Sequence, residues 1–240
     1  MGLLETYKKS IDLVKNHIAE SLIYGALFYI LWKSLFLLPI IGAFLFSYFY
    51  PRLIKWYYTK VTGENINPDY KIAFKSLLIP TLLMSMGIMF IQYNGSTLIK
   101  VEYMGPTGYQ YYGPDNLILA IVGVVILIIA AIVGTLLLYT FYGAILGKVN
   151  KLSIHFSKSL KLFAYILVCL IILVLLWTAI FVIYILHILM ISPTISVATS
   201  LTYEYGEVLV IVYTILLTIL FSIFVESMVN LVALLKAKEL

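Results

Sequence analysis

The residues of this chain that could carry chemistry are few and scattered. Glu226 and Asn230 stand one helical turn apart in Phe-Val-Glu-Ser-Met-Val-Asn, inside an otherwise apolar run. Polar groups within apolar runs are where a membrane protein usually places its chemistry. Counted from Val208 at about 1.5 Å per residue, Glu226 lies about 27 Å down its helix, close to the inner boundary of a bilayer. Two readings fit it: a boundary carboxylate that reaches headgroups or loop lysines, or a carboxylate that lines a pore mouth or carries protons. The spacing favours the first. Lys33 interrupts another apolar stretch and reads as a snorkelling turn residue. Lys148, Lys151, Lys158 and Lys161 crowd one short connection. Their default role is to set orientation, and such a basic hairpin is able to dock a partner protein.

Other constellations fail on spacing. Gly143-Ala-Ile-Leu-Gly147-Lys148 lacks the four residues between glycines, and the Ser or Thr after the lysine, that a phosphate loop needs. It reads as a small-xxx-small pair for close helix packing, with Gly123, Ala130 and Gly134 extending the face. His187 falls about 37 Å along its helix by the same rise, at the outer interface. His17 and His155 sit in amphipathic segments far from each other, which gives no haem ligation. The single cysteine, Cys169, builds neither an intrachain disulfide nor a cysteine metal site. With no paired metal ligands, no Ser–His–Asp set and no dinucleotide fingerprint, the chain reads as non-enzymatic, with no cofactor and no metal.

The elements that must position these residues are membrane helices. Hydrophobic residues make up 63% of the 240 and charged residues 11%, against about 25% charged in a soluble domain. Residues 162–203 carry no charge, and 162–191 are almost wholly apolar. A span needs only about 20 such residues. The expected fold is therefore all-α, a polytopic helix bundle of about six spans at 21–38, 39–58, 76–99, 116–147, 162–191 and 208–235. Residues 1–20 precede it as an amphipathic helix, with Leu3, Tyr7, Ile11, Val14 and Ile18 at helical spacing and Lys8, Lys9, Asp12 and Lys15 between them. Nothing there resembles a removable signal peptide. Residues 21–58 allow a tight hairpin around Pro39 or a re-entrant first half, and the hairpin keeps the lysines on one side. Asp69 is placed to cap the helix that enters the third span. Residues 100–115 read as a Tyr-rich polar loop. Its Tyr103, Tyr109, Tyr111 and Tyr112 suit an interface belt better than a stacking platform for single-stranded nucleic acid.

The net charge of +5 reports orientation rather than nucleic-acid binding. In the six-span arrangement fourteen of the sixteen Lys and Arg residues fall on one side, with Lys33 and Lys100 on the other. Basic loops stay inside, so the expected placement is a multi-pass protein of the cell membrane with both termini cytoplasmic. The sequon at Asn94 then lies in an outer loop and agrees with this. A weak internal duplication relates the two cytoplasmic hairpins: Ala73-Phe74-Lys75-Ser76-Leu77 matches Phe156-Ser157-Lys158-Ser159-Leu160 in scheme.

Three functions fit this pattern. The first is a conduit subunit driven by an ATPase encoded elsewhere. The second is an ion-coupled solute carrier, which needs buried ionisable groups that this chain mostly lacks. The third is a structural or assembly subunit. Abundant Tyr, Ile and Leu with scarce Cys, about six spans and Lys-rich cytoplasmic hairpins together resemble the CedA family. That family is the polytopic component of DNA import in Sulfolobus-type archaea. The resemblance covers the whole-chain layout and carries no functional residue across. It implies a translocation channel, with membrane lipids, other membrane subunits, a cytoplasmic HerA-type ATPase and DNA in transit as partners, and room for homo-oligomers; under it Lys148, Lys151, Lys158 and Lys161 become candidate contacts for phosphate or for the ATPase.

Overall fold

The computed structural model describes residues 2–92, 100–103, 109–112, 117–195 and 200–240, with side chains described outside 93–117, 180, 183–211 and 213–214. Seven helices follow in order: α1 (Leu3–Asn16), α2 (Ile18–Leu37), α3 (Pro39–Thr62), α4 (Tyr70–Gln92), α5 (Leu117–Ile145), α6 (Phe156–Ile195) and α7 (Ser200–Glu239). Five of them are long and apolar enough to cross a membrane: α2, α4, Ile118–Ile145 of α5, Phe156–Ala179 of α6 and Ile215–Glu239 of α7. The outer surface supports the same conclusion. Ile121, Val125, Ile128 and Ile132 on α5, and Val174, Leu175 and Leu176 on α6, are exposed apolar side chains. A belt of that size is stable against lipid and not against water. The protein is a multi-pass helical membrane bundle.

Local chemistry sets the helix ends. Pro39 opens α3, where a missing N–H costs nothing. Only Leu38 separates α2 from α3, and a Cβ on Gly42 would run into the carbonyl of Ser34. Glycine is what lets this hairpin close. α3 stops at Gly63, left-handed at φ 70°, whose N–H reaches Thr59. Asp69 caps α4 through its carboxylate and the Ile72 N–H, 3.0 Å apart, while its own N–H holds the Ala144 carbonyl at the foot of α5. The aligned serines of the suggested duplication do different work. Ser76 donates to Ala73 on its own helix, whereas Ser159 donates to Leu136 and ties α6 to α5.

Packing relies on small residues and buried rings. A Cβ on Gly87 would come within 2.9 Å of the Gly123 carbonyl, so α4 and α5 touch backbone to backbone. α2 meets α7 at Gly25, where a Cβ would collide with the Ile223 carbonyl, and Ser227 donates to the Ser21 carbonyl at 2.7 Å. Between these seams Phe28, Phe46, Ile54, Tyr57 and Leu231 are fully buried.

Three segments depart from the sequence reading. Gly143 and Gly147 form no helix–helix face. α5 ends at Ile145, Gly147 is left-handed at φ 71°, and the N–H groups of Lys148 and Val149 both turn back to the Gly143 carbonyl. A Cβ on Gly147 would meet the Asn67 carbonyl at 2.5 Å. The gap between the expected spans 162–191 and 208–235 is mostly helix, because α6 runs on to Ile195 and α7 starts at Ser200. Glu204 and Glu207 signal the end of hydrocarbon, not the end of a helix. Within 100–115, Lys100–Tyr103 and Tyr109–Tyr112 form an antiparallel hairpin, β1 and β2, with Tyr103 opposite Tyr109. Val and Tyr favour strands. The sequon at Asn94 lies outside the described residues, as do the side chains of the Tyr cluster.

Candidate functional site

Glu226 and Asn230 extend from α7 toward α3 and α5, where they meet Tyr50 and Tyr142. Asn230 is fully buried and its hydrogen bonds fix its amide orientation. Its Nδ2 donates to the Glu226 main-chain carbonyl at 2.8 Å, a group that can only accept. Its Oδ1 therefore faces α5, where the Tyr142 hydroxyl donates at 2.9 Å. Nδ2 also donates to the Tyr50 hydroxyl at 3.1 Å, and Tyr50 donates onward to Glu226 Oε2 at 3.3 Å. The Tyr50 hydroxyl also lies 3.3 Å from Asn230 Oδ1, so Tyr142, Asn230, Tyr50 and the carboxylate form one network. The chain joins α5, α7 and α3 at one level. By helical rise Glu226 is about 15 Å from Lys236, the first cation of the tail. The ring of Phe28 packs edge-on against Tyr50, with centroids 5.1 Å apart.

A cavity of about 520 Å³ opens beside this network. Glu226 contributes its one carboxylate. Trp32, Phe46 and Tyr50 form an aromatic wall, and Ala131 and Ile166 part of the apolar one. The rings are in contact: Phe46 stacks on Tyr50 at 4.5 Å and Trp32 lies 5.1 Å from Phe46. The buried Trp32 indole N–H has no partner at ordinary hydrogen-bond length, and Glu226 is the carboxylate within its reach. Arg52, two residues beyond Tyr50, does not neutralise this acid. Its guanidinium packs on the rings of Tyr48 and Tyr70, at 3.7 and 4.8 Å. Among the described residues no cation pairs with Glu226, and no three His, Cys, Asp or Glu side chains converge.

The other expected residues fall in separate places. Lys148 donates to the main-chain carbonyls of Ala237 and Lys238, at the end of α7. The last carbonyls of a helix lack partners and its C-terminus is negative, so an ammonium suits them. Lys158 donates to the Tyr139 hydroxyl at 3.3 Å and sits over its ring. Lys151 and Lys161 are exposed. The four therefore do not act as one set. Lys33 is exposed one turn from the end of α2, near the Tyr29 ring. His17 lies 4.0 Å from Glu20, and His155 bonds Ser153. Cys169 is a buried free thiol, and the side chain of His187 lies outside the described residues.

Sequence reasoning missed the partners that gather one end of the bundle. Lys238 pairs with Glu64 at 2.7 Å, and Tyr58 donates to the same carboxylate at 2.7 Å. The Lys238 ammonium, and then Tyr58, hold the Glu64 carboxyl below its usual range. On α1, Tyr7 donates to the Tyr165 carbonyl at 2.5 Å, and burial pushes its hydroxyl up to about 12. The α3–α4 loop, the α5–α6 loop, α1 and the tail thus share one end. An acid two residues past a helix end and a lysine two from the terminus were the available signals, but no spacing rule links positions 174 apart.

No family model matches this chain, and no curated protein and no solved structure shows significant similarity to it.

Proposed function

We propose that this chain is a non-enzymatic membrane subunit of a translocation machine, powered by an ATPase encoded elsewhere. The observation that carries the reading is the basic end. Glu64–Lys238, Lys148 on the α7 carbonyls and Asp69 on Ala144 bind two loops and the tail into one base. A base of that kind offers a fixed docking surface, with Lys151 and Lys161 turned outward. In this reading α3 is a sixth span. It is less apolar than the other five because Arg52, Lys55 and Lys60 lie toward its basic end. The basic end then faces the cytoplasm with both termini, by the positive-inside rule. DNA import between archaeal cells is the specific form that the resemblance to CedA implies, and the resemblance is one of layout alone. Lys151 and Lys161 would then meet phosphate, or the ATPase, by charge attraction that ignores sequence. The test exchanges both for Gln in the native cell. DNA transfer and co-purification of a hexameric ATPase are expected to fall together, and unchanged transfer refutes the docking role.

A second reading is an ion-coupled carrier, favoured by the carboxylate that Tyr50 and Asn230 hold against the cavity. Purified protein in liposomes would then accumulate solute on an ion gradient alone. Failure to do so with any small cation or proton gradient removes this reading and leaves the first untouched.

A further inference from the structure

We propose that the cavity between Glu226 and the rings of Trp32, Phe46 and Tyr50 binds a monovalent organic cation with an apolar body. Its volume of about 520 Å³ lies within the range of about 300–1,000 Å³ typical of small-molecule pockets. Its walls decide the character of the occupant. Ala131, halfway along α5, and Ile166 and Leu170 on α6 offer nothing to a polar solute. They suit the apolar body of an amphiphile that enters from lipid.

The other end of the cavity decides the charge. The Tyr50 hydroxyl donates to the Glu226 carboxylate at 3.3 Å, and the Trp32 indole lines the same cavity with its N–H unpartnered. Tyr50 is itself held by Asn230, which keeps its hydroxyl beside the carboxylate. The nearest basic residue in sequence on the facing helix, Arg52, is engaged with Tyr48 and Tyr70. A carboxylate that accepts from Tyr50 and, among the described residues, pairs with no cation draws a positive ligand. The Phe46–Tyr50 stack and the Trp32 indole present ring faces beside it. Rings with an acid beside them are the chemistry that recognises alkylated ammonium or phosphonium groups, whose charge is spread and weakly hydrated. A neutral lipid chain would fill the apolar part and leave the acid unused.

The test is equilibrium binding of radiolabelled tetraphenylphosphonium to the full chain in nanodiscs, against empty nanodiscs. Tetraphenylborate, an anion of the same shape, is the control. A saturable site for the phosphonium and none for the borate is expected. Glu226→Gln is expected to weaken binding by about tenfold or more. Ala131→Trp, at an exposed position on the cavity wall, is expected to abolish it while the acid stays in place. Glu226→Asp, which keeps the charge, is expected to retain measurable binding, which separates loss of charge from loss of fold. No saturable component, equal binding of both ions, or an unchanged affinity in Glu226→Gln overturns the proposal. Equal binding of the two would mean a lipid-like occupant chosen by shape. The proposal shares Glu226 with the carrier reading but stands apart from it: binding without gradient-driven uptake upholds the site and removes the carrier.

Discussion

Replacing Asn230 by leucine tests whether the buried network holds the bundle together. Leucine nearly matches the volume and removes both the acceptor and the donors. The Tyr142 hydroxyl then loses the oxygen 2.9 Å away, and Tyr50 loses the donor at 3.1 Å. The Glu226 main-chain carbonyl keeps its helical N–H and loses little. Each buried hydroxyl left unpaired costs about 1–3 kcal/mol. Polar contacts between membrane helices are worth less, about 0.6 kcal/mol on average and about 1.7 at most, because the unfolded helices find other partners. With Tyr142 orphaned and Tyr50 keeping its bond to Glu226, Asn230→Leu is expected to destabilise the fold by about 1–3 kcal/mol. The decisive feature is the asymmetry between removing one partner and removing both. Tyr142→Phe in the Asn230→Leu background takes away the orphaned hydroxyl, so the double variant is expected to be more stable than the sum of the single effects by about 1 kcal/mol. Unfolding in mixed micelles with increasing denaturing detergent measures all four proteins. A cost below about 0.5 kcal/mol, or strictly additive variants, refutes the network as a unit.

Other outcomes follow from the seams and the basic end. Gly25→Val is expected to separate α7 from α2, since its Cβ lands on the Ile223 carbonyl; loss of a cysteine cross-link between positions 21 and 227 reports this. Gly87→Leu is expected to force α4 off Gly123 and cost about 1–3 kcal/mol, measured by the same unfolding assay. Glu64 has a lowered pKa, so its pairing stabilises the tail above the ordinary carboxylate range and is lost as pH falls through the lowered value. Both partners are nearly half exposed, at 45% and 48%, so the effect stays under about 1 kcal/mol. Amide exchange of residues 236–240 is expected to rise toward acid pH, and Glu64→Gln to flatten that dependence. Lys148→Met frees the last carbonyls of α7 and is expected to raise exchange there at neutral pH.

How much of this was legible depends on how local each feature is. The apolar runs behind α4, α5 and α6 announce themselves, because lipid demands about 20 such residues in a row. Asp69 was readable as a cap, since a cap acts over three residues. Leu38–Pro39 and the lysine distribution pointed to the hairpin of α2 and α3. The ends of α6 and α7 were misplaced because hydropathy reports solvent, and a helix can leave lipid without unwinding. At Gly147 a usable signal was passed over: glycine just past an apolar helix end, followed by a basic residue, marks a left-handed cap. Glu226 shows the limit most clearly. Its position in α7 was visible, but its contact with Tyr50 spans 176 residues and depends on how three helices rotate against one another.

The central claim is a bundle dissolved in lipid, with its basic loops and tail gathered at one end on the cell's inner face. Single cysteines placed by Glu64→Cys, Lys151→Cys, Lys238→Cys and Lys33→Cys, each in a Cys169→Ser background, test it with an impermeant thiol reagent applied to right-side-out and inverted vesicles. Positions 64, 151 and 238 are expected to react only in inverted vesicles, and position 33 only in right-side-out ones. Reaction of positions 64 and 151 from opposite sides would contradict the account.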